Sequence, residues 1–476
     1  MSALWTLDAM AAAMHAERSG SLPADVPGLS IDTRTIAKGE AFFAIKGDSR
    51  DGHDFVEAAL KAGAGLAVVA RGQVARFADA PLLIVDDVLE ALRDLARAAR
   101  ARTKAKVIAV TGSVGKTGTK EALRLALSPE GETHASAASY NNHWGVPLSL
   151  ARCPQGTKYA VFEIGMNHAG EITPLTKLVR PHVAIVTTVE PVHLEFFGTL
   201  EKIADAKAEI FIGLEPGGVA VLNRDNAQFG RLEAAAKAAK SRIVSFGDNA
   251  KADTQLLRVS LQADSSTVEA RVLGTPITYK LGAPGRHIVL NSLAVLTAAV
   301  LVGADLALAA LALGKLRPTP GRGARVTLSV PGGSAVLIDE SYNANPASMA
   351  AAIALLGQTP IGERGRRIAV LGDMLELGPP GAELHRGLAV PLKEENIDLV
   401  YCSGPLMRSL WEALPSNRRG GYAHTAAALE PAVLEALRDG DAIMVKGSLG
   451  SKMGPIVKAL ERQFPRASAL ENSPQV

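Results

Sequence analysis

The feature that most constrains the fold is the run VIAVTGSVGKT at residues 107–117, where an apolar, β-branched segment stops at a glycine-rich loop. A buried strand that enters such a loop and continues as a helix is the arrangement needed for a phosphate-binding cradle. Glycines at both ends of the loop allow backbone N–H groups to approach an anion closely. The loop residues are Gly112, Ser113, Val114 and Gly115.

Two residues at the start of the following helix carry the rest of this prediction. Lys116 is expected to reach the terminal phosphates of a nucleotide, and the hydroxyl of Thr117 is expected to hold a magnesium ion. The string is the shorter TGxxGKT form, because Val110 stands where the general P-loop pattern has a glycine. An ordinary strand–turn–helix corner is the alternative interpretation. The position directly after a strand favours nucleotide binding.

Composition limits the partners and the compartment. Lysine and arginine total 51 against 48 aspartate and glutamate, and the charges are scattered, so no nucleic-acid partner is expected. The only two cysteines, Cys153 and Cys402, lie far apart in sequence, which favours a reducing compartment. No apolar run reaches membrane-spanning length, and residues 1–20 resemble a short amphipathic helix more than a signal peptide. We expect a cytoplasmic protein without an integral membrane segment.

A chain of 476 residues exceeds a single hydrophobic core, and its pattern predicts an α/β protein of three domains. Residues 1–83 mix short strands and helices in an N-terminal α/β domain. Residues 84–320 alternate strand and helix, which predicts a central P-loop domain with a parallel sheet. Residues 321–465 repeat the alternation as a Rossmann-like domain, and residues 466–476 are expected to be a disordered tail.

Two segments interrupt the alternation. Between about 252 and 281 the hydrophobic period changes to two, which predicts a small antiparallel insertion. The stretch RPTPGRG at 317–323 is rich in proline and glycine and is a candidate linker between the second and third domains.

Polar residues gather after the predicted strands of the central domain, where open α/β sheets bind ligands. Glu163 lies near the end of the predicted strand YAVFEIG (159–165), and His193 follows the strand HVAIVTTV. An acidic side chain and a neutral imidazole there could complete magnesium coordination, whereas a helix-capping glutamate and a loop histidine are the alternatives. Lys207, in the helix EKIADAKAEIF, is by residue type alone a solvated surface lysine.

Other polar clusters allow both a functional and a structural interpretation. Amide donors in SYNNHWGVP suit a polar, peptide-like ligand, and an Asx-rich turn is the alternative. A basic residue in PGRG could reach nucleotide phosphates or form an interdomain salt bridge. The run DESYNANPASM after a strand exceeds what a helix cap needs. The residues concerned are Asn141, Asn142, His143, His287, Asn291, Arg322, Asp339, Glu340, Asn343 and Asn345.

Taken together, these strings resemble the Mur ligase family, the ATP-dependent amide-forming enzymes of peptidoglycan synthesis. The resemblance covers nearly the whole chain and keeps the family's motif order. Two positions depart from the common pattern, because Leu449 stands where many members carry arginine and Glu340 where aspartate is common. The strings are SIDTRTIAKGEAFFAIKGDSRDGHDF, TGSVGKT, SYNNHWGVP, EIGMN, HLEFFGTLEKIADAKAEI, PGRG, DESYNANPASM, LGDMLELG and KGSLGSKMGP.

The resemblance implies roles for individual residues. Lys207 matches the lysine that members carbamylate with CO2, and it would share a second Mg2+ with His193, while Thr117 and Glu163 would hold the first. The implied catalytic residues are Lys116, Lys207, His193 and Glu163. The implied ATP-binding residues are Gly112, Ser113, Val114, Gly115, Lys116, Thr117, Asn291, Arg322, Asp339 and Asn343. Implied substrate residues are Ser30, Thr33, Arg34, Asp51 and His53 for the UDP-sugar, with Asn141, Asn142 and Asn345.

Within the family, YNANP and LGDMLELG imply an enzyme that adds D-alanyl-D-alanine to UDP-MurNAc-tripeptide. These strings do not determine the oligomeric state, and we expect a monomer. ATP would activate the terminal carboxylate as an acyl phosphate, which the dipeptide amine would then attack. A paralogue that adds a single diamino acid and a folylpolyglutamate synthetase remain alternatives, although YNANP disfavours both. A non-enzymatic protein that uses ATP only as a switch is a further alternative.

Overall fold

The computed structural model describes residues 3–137 and 139–467. The predicted α/β class is confirmed, with three β-sheets of five, nine and six strands following one another along the chain. A separate two-stranded ribbon lies near the N-terminus. The helices cover the sheets, and helices and strands both supply the buried apolar side chains between layers.

The N-terminal unit carries the five-stranded sheet in the order β2-β7-β6-β5-β4, parallel except for β2. Its last strand, β7, ends at Val85, two residues past the predicted boundary at residue 83. β7 belongs to this first sheet, because it pairs with β2 and β6. The elements are β1 (Trp5–Thr6), α1 (Leu7–Met14), β2 (Glu17–Ser19), β3 (Asp25–Val26), β4 (Leu29–Ser30), β5 (Ala41–Phe43), α2 (Val56–Lys61), β6 (Leu66–Ala70), β7 (Leu82–Val85) and α3 (Val88–Arg102).

The central unit is built on the nine-stranded sheet, in the order β16-β15-β14-β13-β12-β11-β8-β10-β9. Its elements are β8 (Lys106–Thr111), α4 (Lys116–Leu127), β9 (Thr133–Ala135), α5 (Gly145–Ala151), β10 (Tyr159–Glu163), α6 (Ile172–Val179), β11 (Val183–Val186), α7 (Leu194–Phe197), α8 (Leu200–Ala208), β12 (Val219–Asn223), α9 (Phe229–Ala238), β13 (Arg242–Gly247), β14 (Thr254–Leu261), β15 (Ser266–Val272), β16 (Thr275–Leu281), α10 (Arg286–Leu301) and α11 (Leu306–Leu313).

The predicted antiparallel segment is confirmed, but it is an extension of the central sheet rather than a separate insertion. β14 continues the parallel order beside β13, and β15 and β16 then add antiparallel strands at the edge. Alternate side chains of these strands are buried, because helices cover only one face there. β8 lies inside the sheet and is buried at five consecutive residues, as expected for a strand covered on both faces.

The C-terminal unit has the strand order β17-β18-β22-β19-β20-β21, parallel except for the edge strand β17. Its elements are β17 (Ala324–Val330), β18 (Gly333–Glu340), α12 (Pro346–Gly357), β19 (Arg367–Gly372), α13 (Gly381–Gly387), α14 (Ala389–Glu394), β20 (Leu399–Ser403), α15 (Arg408–Ala413), β21 (Arg419–Ala423), α16 (Ala426–Ala436), β22 (Ala442–Lys446) and α17 (Gly454–Gln463).

The predicted tail is only partly described. Arg466 forms a β-bridge with Leu328, and Ala467 N–H donates to the Thr327 carbonyl at 2.9 Å. These two residues are therefore ordered against β17, which corrects the prediction for the start of the tail. The remaining residues of the tail, 468–476, lie outside the described residues.

The N-terminal and central units share one apolar core, because α3 packs against α5 and α6 of the central unit. Trp5 reaches across this interface, and its indole N–H donates to the Ala151 carbonyl at 2.9 Å. Among the described residues, none of the helices is both long and apolar enough to cross a membrane.

Candidate nucleotide and metal site

The glycine-rich loop between β8 and α4 is held open by backbone geometry that only glycine adopts without strain. Gly115 has φ +85°, and a Cβ there would lie 2.6 Å from Asn291 Nδ2. A Cβ on Gly112 would lie 1.9 Å from Thr187 Oγ1. The loop therefore presents backbone N–H groups at the start of α4, where the helix dipole favours an anion.

The segment that follows β11 stabilises this loop through hydrogen bonds. Ser113 N–H donates to the Thr188 carbonyl at 2.8 Å, and Thr187 Oγ1 donates to the Val114 carbonyl at 2.6 Å. The Ser113 hydroxyl donates to the Glu190 carbonyl at 3.0 Å. The side chain of Ser113 thus stabilises the loop. Its predicted role in ATP binding would then be to position the loop backbone.

Lys116 lies at the first position of α4 and folds back over the loop. Its Nζ donates to the carbonyls of Gly112 at 2.6 Å and Ser113 at 3.3 Å. Burial lowers the pKa of Lys116, Glu163 opposes that change, and Arg322 adds to it. A bound polyphosphate would supply the negative charge that this buried ammonium lacks.

Thr117, in the first turn of α4, and Glu163, at the end of β10, line the same cavity. Glu163 lies opposite Val110 in the β10–β8 register, so it faces the first turn of α4. Asn141 Nδ2 donates to Glu163 Oε1 at 2.7 Å, whereas Glu163 Oε2 and Thr117 Oγ1 are buried without hydrogen-bond partners. A hydroxyl and a carboxylate oxygen left unpaired together fit a hard divalent cation such as Mg2+.

Lys207 is only 3% exposed, so the expectation of a solvated lysine from residue type is wrong. It lies in the last turn of α8, whose buried face includes Ile203 and Ala204. Desolvation lowers the pKa of its amine well below the ordinary 10.5, and the charge of Lys116 lowers it further. Within residues 3–137 and 139–467, its Nζ has no hydrogen-bond or ion-pair partner.

His193 caps the short helix α7 in a left-handed conformation, with φ +56°. Burial lowers the pKa of its imidazole, Glu376 opposes the change, and Lys207 and Lys116 reinforce it. Its Nδ1 lies 2.5 Å from Glu376 Oε2, which belongs to the C-terminal unit. A neutral ring in this arrangement keeps a lone pair on Nε2 for a metal ion.

The C-terminal unit closes the site with Arg322, whose guanidinium lies 4.1 Å from the centroid of the Tyr342 ring. The same guanidinium donates to Ser139 Oγ of the central unit at 3.3 Å. Asp339 braces the loop, because its carboxylate accepts from Gly321 N–H at 2.7 Å and from Ser341 Oγ at 2.6 Å. A direct ATP contact by Asp339, implied by the resemblance, is therefore not supported, and this carboxylate instead positions the loop of Arg322.

A buried ion pair joins β18 and β22 at the edge of the site. Lys446 is 2% exposed, and its Nζ contacts Glu340 Oε2 at 3.2 Å and the Asn343 carbonyl at 2.9 Å. The longer Glu340, which stands where aspartate is common, thus reaches this ammonium. Asn345 caps α12 through Ser348, but its Nδ2 is buried and unpaired. That amide is free to donate to a ligand.

One cavity of about 620 Å3 between the central and C-terminal units gathers most of the predicted ATP and metal residues. Lys207 does not line this cavity, but its charge acts on Lys116 and His193, which do. Gly112, Asn142 and Asp339 do not line the cavity. The predicted residues that do line it are Ser113, Val114, Gly115, Lys116, Thr117, Asn141, Glu163, His193, Asn291, Arg322, Asn343 and Asn345.

Asn142 acts as a structural cap, because its Oδ1 accepts from Trp144 N–H at 3.2 Å and Gly145 N–H at 2.9 Å at the start of α5. The Asx-turn alternative describes this residue, and a substrate contact through Oδ1 is not supported. Asn141, its neighbour, points instead to Glu163.

The five predicted UDP-sugar residues lie in the N-terminal unit, outside this cavity. Ser30 is buried, while the side chain of Arg34 is 85% exposed and pairs with Asp32 at 2.6 Å. His53 Nδ1 lies 2.6 Å from Asp51 Oδ1, and its Nε2 accepts from Ala70 N–H at 3.0 Å. Both ring nitrogens of His53 are thus occupied, so this residue stabilises the loop. Thr33 remains a prediction, as do Ser30, Arg34 and Asp51.

Sequence reasoning missed two residues that complete the site. Glu376 contacts His193 from 183 positions away in sequence, and Lys446 contacts Glu340 from 106 positions away. Glu376 lies in the string LGDMLELG, which carries the family resemblance but implied no role for this residue. Pairing of this kind depends on how two domains dock, which the periodicity of one segment cannot reveal.

Comparisons with known proteins agree with this geometry. Family models described as the Mur ligase middle domain, the Mur ligase glutamate ligase domain and the Mur ligase family catalytic domain match residues 110–299, 321–449 and 25–100. The UDP-N-acetylmuramoyl-tripeptide–D-alanyl-D-alanine ligase of Escherichia coli (strain K12) is 36% identical over 440 residues, which are 91% of this chain and 93% of that protein.

Solved structures extend the likeness to three dimensions. A MurF from Acinetobacter baumannii superposes with a TM-score of 0.83 at 29% identity, over 96% of this chain and 99% of that one. The MurF ligase from Thermotoga maritima in complex with ADP superposes with a TM-score of 0.75 at 26% identity, over 92% and 97% of the two chains. With all three family models matched in order and this likeness along almost its whole length, the chain belongs to the Mur ligase family.

Proposed function

We propose that this chain is an ATP-dependent ligase that joins D-alanyl-D-alanine to UDP-MurNAc-tripeptide, with release of ADP and phosphate. One observation carries the proposal: a single cavity holds the phosphate cradle, two unpaired oxygen ligands and an arginine from the third domain. The likeness to enzymes named for this reaction, over more than nine-tenths of both chains, supports the choice of substrates.

The chemistry follows from the weakness of a free carboxylate as an acyl donor. The terminal carboxylate of the tripeptide attacks the γ-phosphorus of ATP, so a carboxylate–phosphate bond forms and the bond to ADP breaks. The amine of the dipeptide then attacks the acyl carbon, and phosphate leaves the tetrahedral intermediate. Each step transfers a group to an oxygen or nitrogen nucleophile, so no redox partner is needed.

Cationic side chains of this chain act on the phosphoryl group. Lys116 can exchange its bonds to the Gly112 and Ser113 carbonyls for bonds to the β- and γ-phosphates. Arg322 approaches from the opposite wall, held by the Tyr342 ring and by Ser139. Positive charge placed in advance around the transferring group stabilises the transition state in a site with little water.

The residues present fit the two magnesium ions of the family. Thr117 and Glu163 would hold the first, because their unpaired buried oxygens suit a hard cation. His193 and the carbamate of Lys207 would hold the second. When bound, such ions offset the negative charge that develops on the transferring phosphoryl group. No cluster of three or more His, Cys, Asp or Glu side chains occurs in the described part of the chain, and the proposed ligands accordingly include Thr117 and a modified Lys207.

The environment of Lys207 favours its reaction with CO2. Carbamate formation requires a neutral amine, and burial beside Lys116 keeps the pKa of this amine low. The product is an anionic, carboxylate-like group, which the nearby ammonium of Lys116 stabilises. We expect Lys207→Ala to be inactive and to be partly rescued by a small carboxylate such as formate. A fully active Lys207→Ala enzyme would refute the proposal that carbamylated Lys207 is needed for catalysis.

We further propose that the N-terminal unit holds the UDP-sugar through the segment 30–55, and that the enzyme acts as a cytoplasmic monomer. The interface between α3 and α5 places this unit beside Tyr140 and Trp144, whose partly buried rings pack on the shared core. Asn141 lies on the same segment and faces the cavity. A substrate bound along this segment could therefore direct its peptide end towards the phosphate cradle.

Product analysis decides between this reaction and those of the paralogues. Purified enzyme is incubated with ATP, Mg2+ and UDP-MurNAc-tripeptide, together with D-alanyl-D-alanine, lysine or diaminopimelate, and products are identified by mass spectrometry. A parallel reaction supplies a folate and glutamate. We expect a product only with the dipeptide. Ligation of a single amino acid at a comparable rate would refute the dipeptide assignment but retain the ligase chemistry.

A further inference from the structure

A contact between two units of the chain joins a proposed metal ligand to a carboxylate with no assigned role. Glu376 Oε2 of the C-terminal unit lies 2.5 Å from His193 Nδ1 of the central unit. We propose that Glu376 is a positioning residue that orients His193 for metal binding, so that docking of the C-terminal domain completes the site. This inference rests on the proposed metal-dependent function.

The contact determines which ring nitrogen is available. An ionised carboxylate can only accept a hydrogen bond, so Nδ1 of His193 carries the proton that it donates to Glu376. The lone pair of the neutral ring is then on Nε2. Histidine ligands of metal ions commonly donate their other ring N–H to a carboxylate, which fixes the tautomer and the ring plane. Here that carboxylate comes from a different domain.

The loop that carries Glu376 is firmly anchored in its own domain. Met374 N–H donates to Nε2 of the fully buried His385 at 2.9 Å, and Leu375 N–H donates to Ser448 Oγ at 3.0 Å. His385 in turn contacts the Gly381 carbonyl at 2.6 Å through Nδ1. Glu376 therefore moves with the C-terminal domain as a rigid part of it.

Backbone contacts show that the two segments dock as a pair. Glu195 N–H donates to the Glu376 carbonyl at 3.2 Å, so the loops join through main chain as well as side chains. His193 and Glu376 both have positive φ, +56° and +63°, in the left-handed region that non-glycine residues rarely adopt. Such conformations persist where the surroundings require them, and here they accompany the contact between the two side chains.

Binding of Mn2+ tests the proposal without measuring turnover. Free Mn2+ is followed by electron paramagnetic resonance in full-length protein with ADP and bicarbonate, for wild type, Glu376→Ala, Glu376→Gln and His193→Ala. We expect Glu376→Ala to weaken the His193-dependent Mn2+ site by roughly ten- to a hundredfold. Glu376→Gln keeps an acceptor for the Nδ1 proton, so it should recover part of that loss.

A double variant and a matched control separate positioning from general damage. His193→Ala combined with Glu376→Ala should bind Mn2+ no more weakly than His193→Ala alone, because the two residues act as one unit. Glu383→Gln alters an exposed carboxylate on α13 of the same domain and should leave Mn2+ affinity unchanged. In turnover, Glu376→Ala should lower kcat while KM for ATP stays within about twofold, since the phosphate cradle is intact.

The outcomes distinguish this inference from the proposed function. If His193→Ala weakens Mn2+ binding and Glu376→Ala does not, the positioning role is refuted while the metal site stands. Additive losses in the double variant would also refute it, because Glu376 would then act apart from His193. If neither variant changes Mn2+ affinity, His193 is not a ligand, and the second metal site falls together with the inference.

Discussion

Replacing Lys207 with methionine is expected to stabilise the central domain and to abolish activity. The wild-type amine is 3% exposed, and no hydrogen bond or ion pair in the described residues compensates its burial. Methionine has a similar length and fills the same space with an apolar chain among the buried residues of α8, which include Ile203 and Ala204. The variant removes the desolvation cost of the buried amine, and it also removes the group proposed to form the carbamate.

The size of the effect follows from the burial. A polar group buried without a partner costs about 1–3 kcal/mol in protein substitution experiments. For a domain of about 200 residues, each kcal/mol shifts Tm by roughly 2–4 °C. Lys207→Met should therefore raise the Tm of the central domain by roughly 2–12 °C in neutral, CO2-free buffer.

The sign of the pH dependence is also determined. The pKa of Lys207 in the folded protein lies well below its ordinary value of 10.5, so between these two values the unfolded chain binds a proton that the folded chain does not. Wild-type stability consequently rises with pH through that interval. The advantage of Lys207→Met should be largest below the folded pKa and should fall, as the pH approaches 10.5, to the cost of burying the neutral amine alone.

Calorimetry in CO2-free buffer without nucleotide measures the effect, and Lys120→Met supplies the matched control. Lys120 is also fully buried, but its Nζ donates to the Ser136 carbonyl at 2.7 Å and pairs with Glu121 at 2.9 Å. Its loss leaves partners unpaired, so Lys120→Met should lower Tm. If Lys207→Met lowers Tm to the same extent as Lys120→Met, the account of an uncompensated buried amine is refuted.

Three further substitutions test the cradle and the first metal site. Lys116→Ala should reduce phosphate release by at least about a hundredfold without lowering Tm, and normal turnover would contradict the role of the loop. Asn141→Ala, which frees Glu163 Oε1, should weaken Mg2+ activation by roughly ten- to a hundredfold in a metal titration; an unchanged titration would show that Glu163 needs no support. Gly115→Ala should lower the free energy of unfolding by about 1–2 kcal/mol, because alanine is strained at φ +85°. It should also weaken ADP binding, measured by calorimetry, because the new Cβ would contact Asn291. Wild-type ADP affinity would refute the proposal that this loop needs a glycine to bind phosphate.

Much of the fold could be predicted because its strands are continuous apolar runs with clear limits. The strands expected in YAVFEIG and HVAIVTTV are β10 (Tyr159–Glu163) and β11 (Val183–Val186), each shorter than its string. The antiparallel segment was detected from its period, but its place at the edge of the central sheet depends on pairing with β13. Periodicity shows which face of a strand is buried and does not show which strand lies beside it.

Some candidate site residues could be proposed from local sequence. Thr117 and Glu163 follow β8 and β10, which are parallel neighbours, so residue type and position were enough to propose them as metal ligands. Lys207 was different, because burial in α8 depends on packing, and only resemblance to a family drew attention to it. Glu376 could not be found from sequence, since its partner His193 lies in another domain.

Phosphate release from ATP and Mg2+ tests the central claim most directly, measured with UDP-MurNAc-tripeptide and D-alanyl-D-alanine, separately and together. We expect sustained release only when both are present, because the acyl phosphate accumulates no further than one turnover without an amine to accept it. Confirmed ATP binding with no release in the presence of both substrates would contradict the ligase assignment and favour a nucleotide-dependent switch.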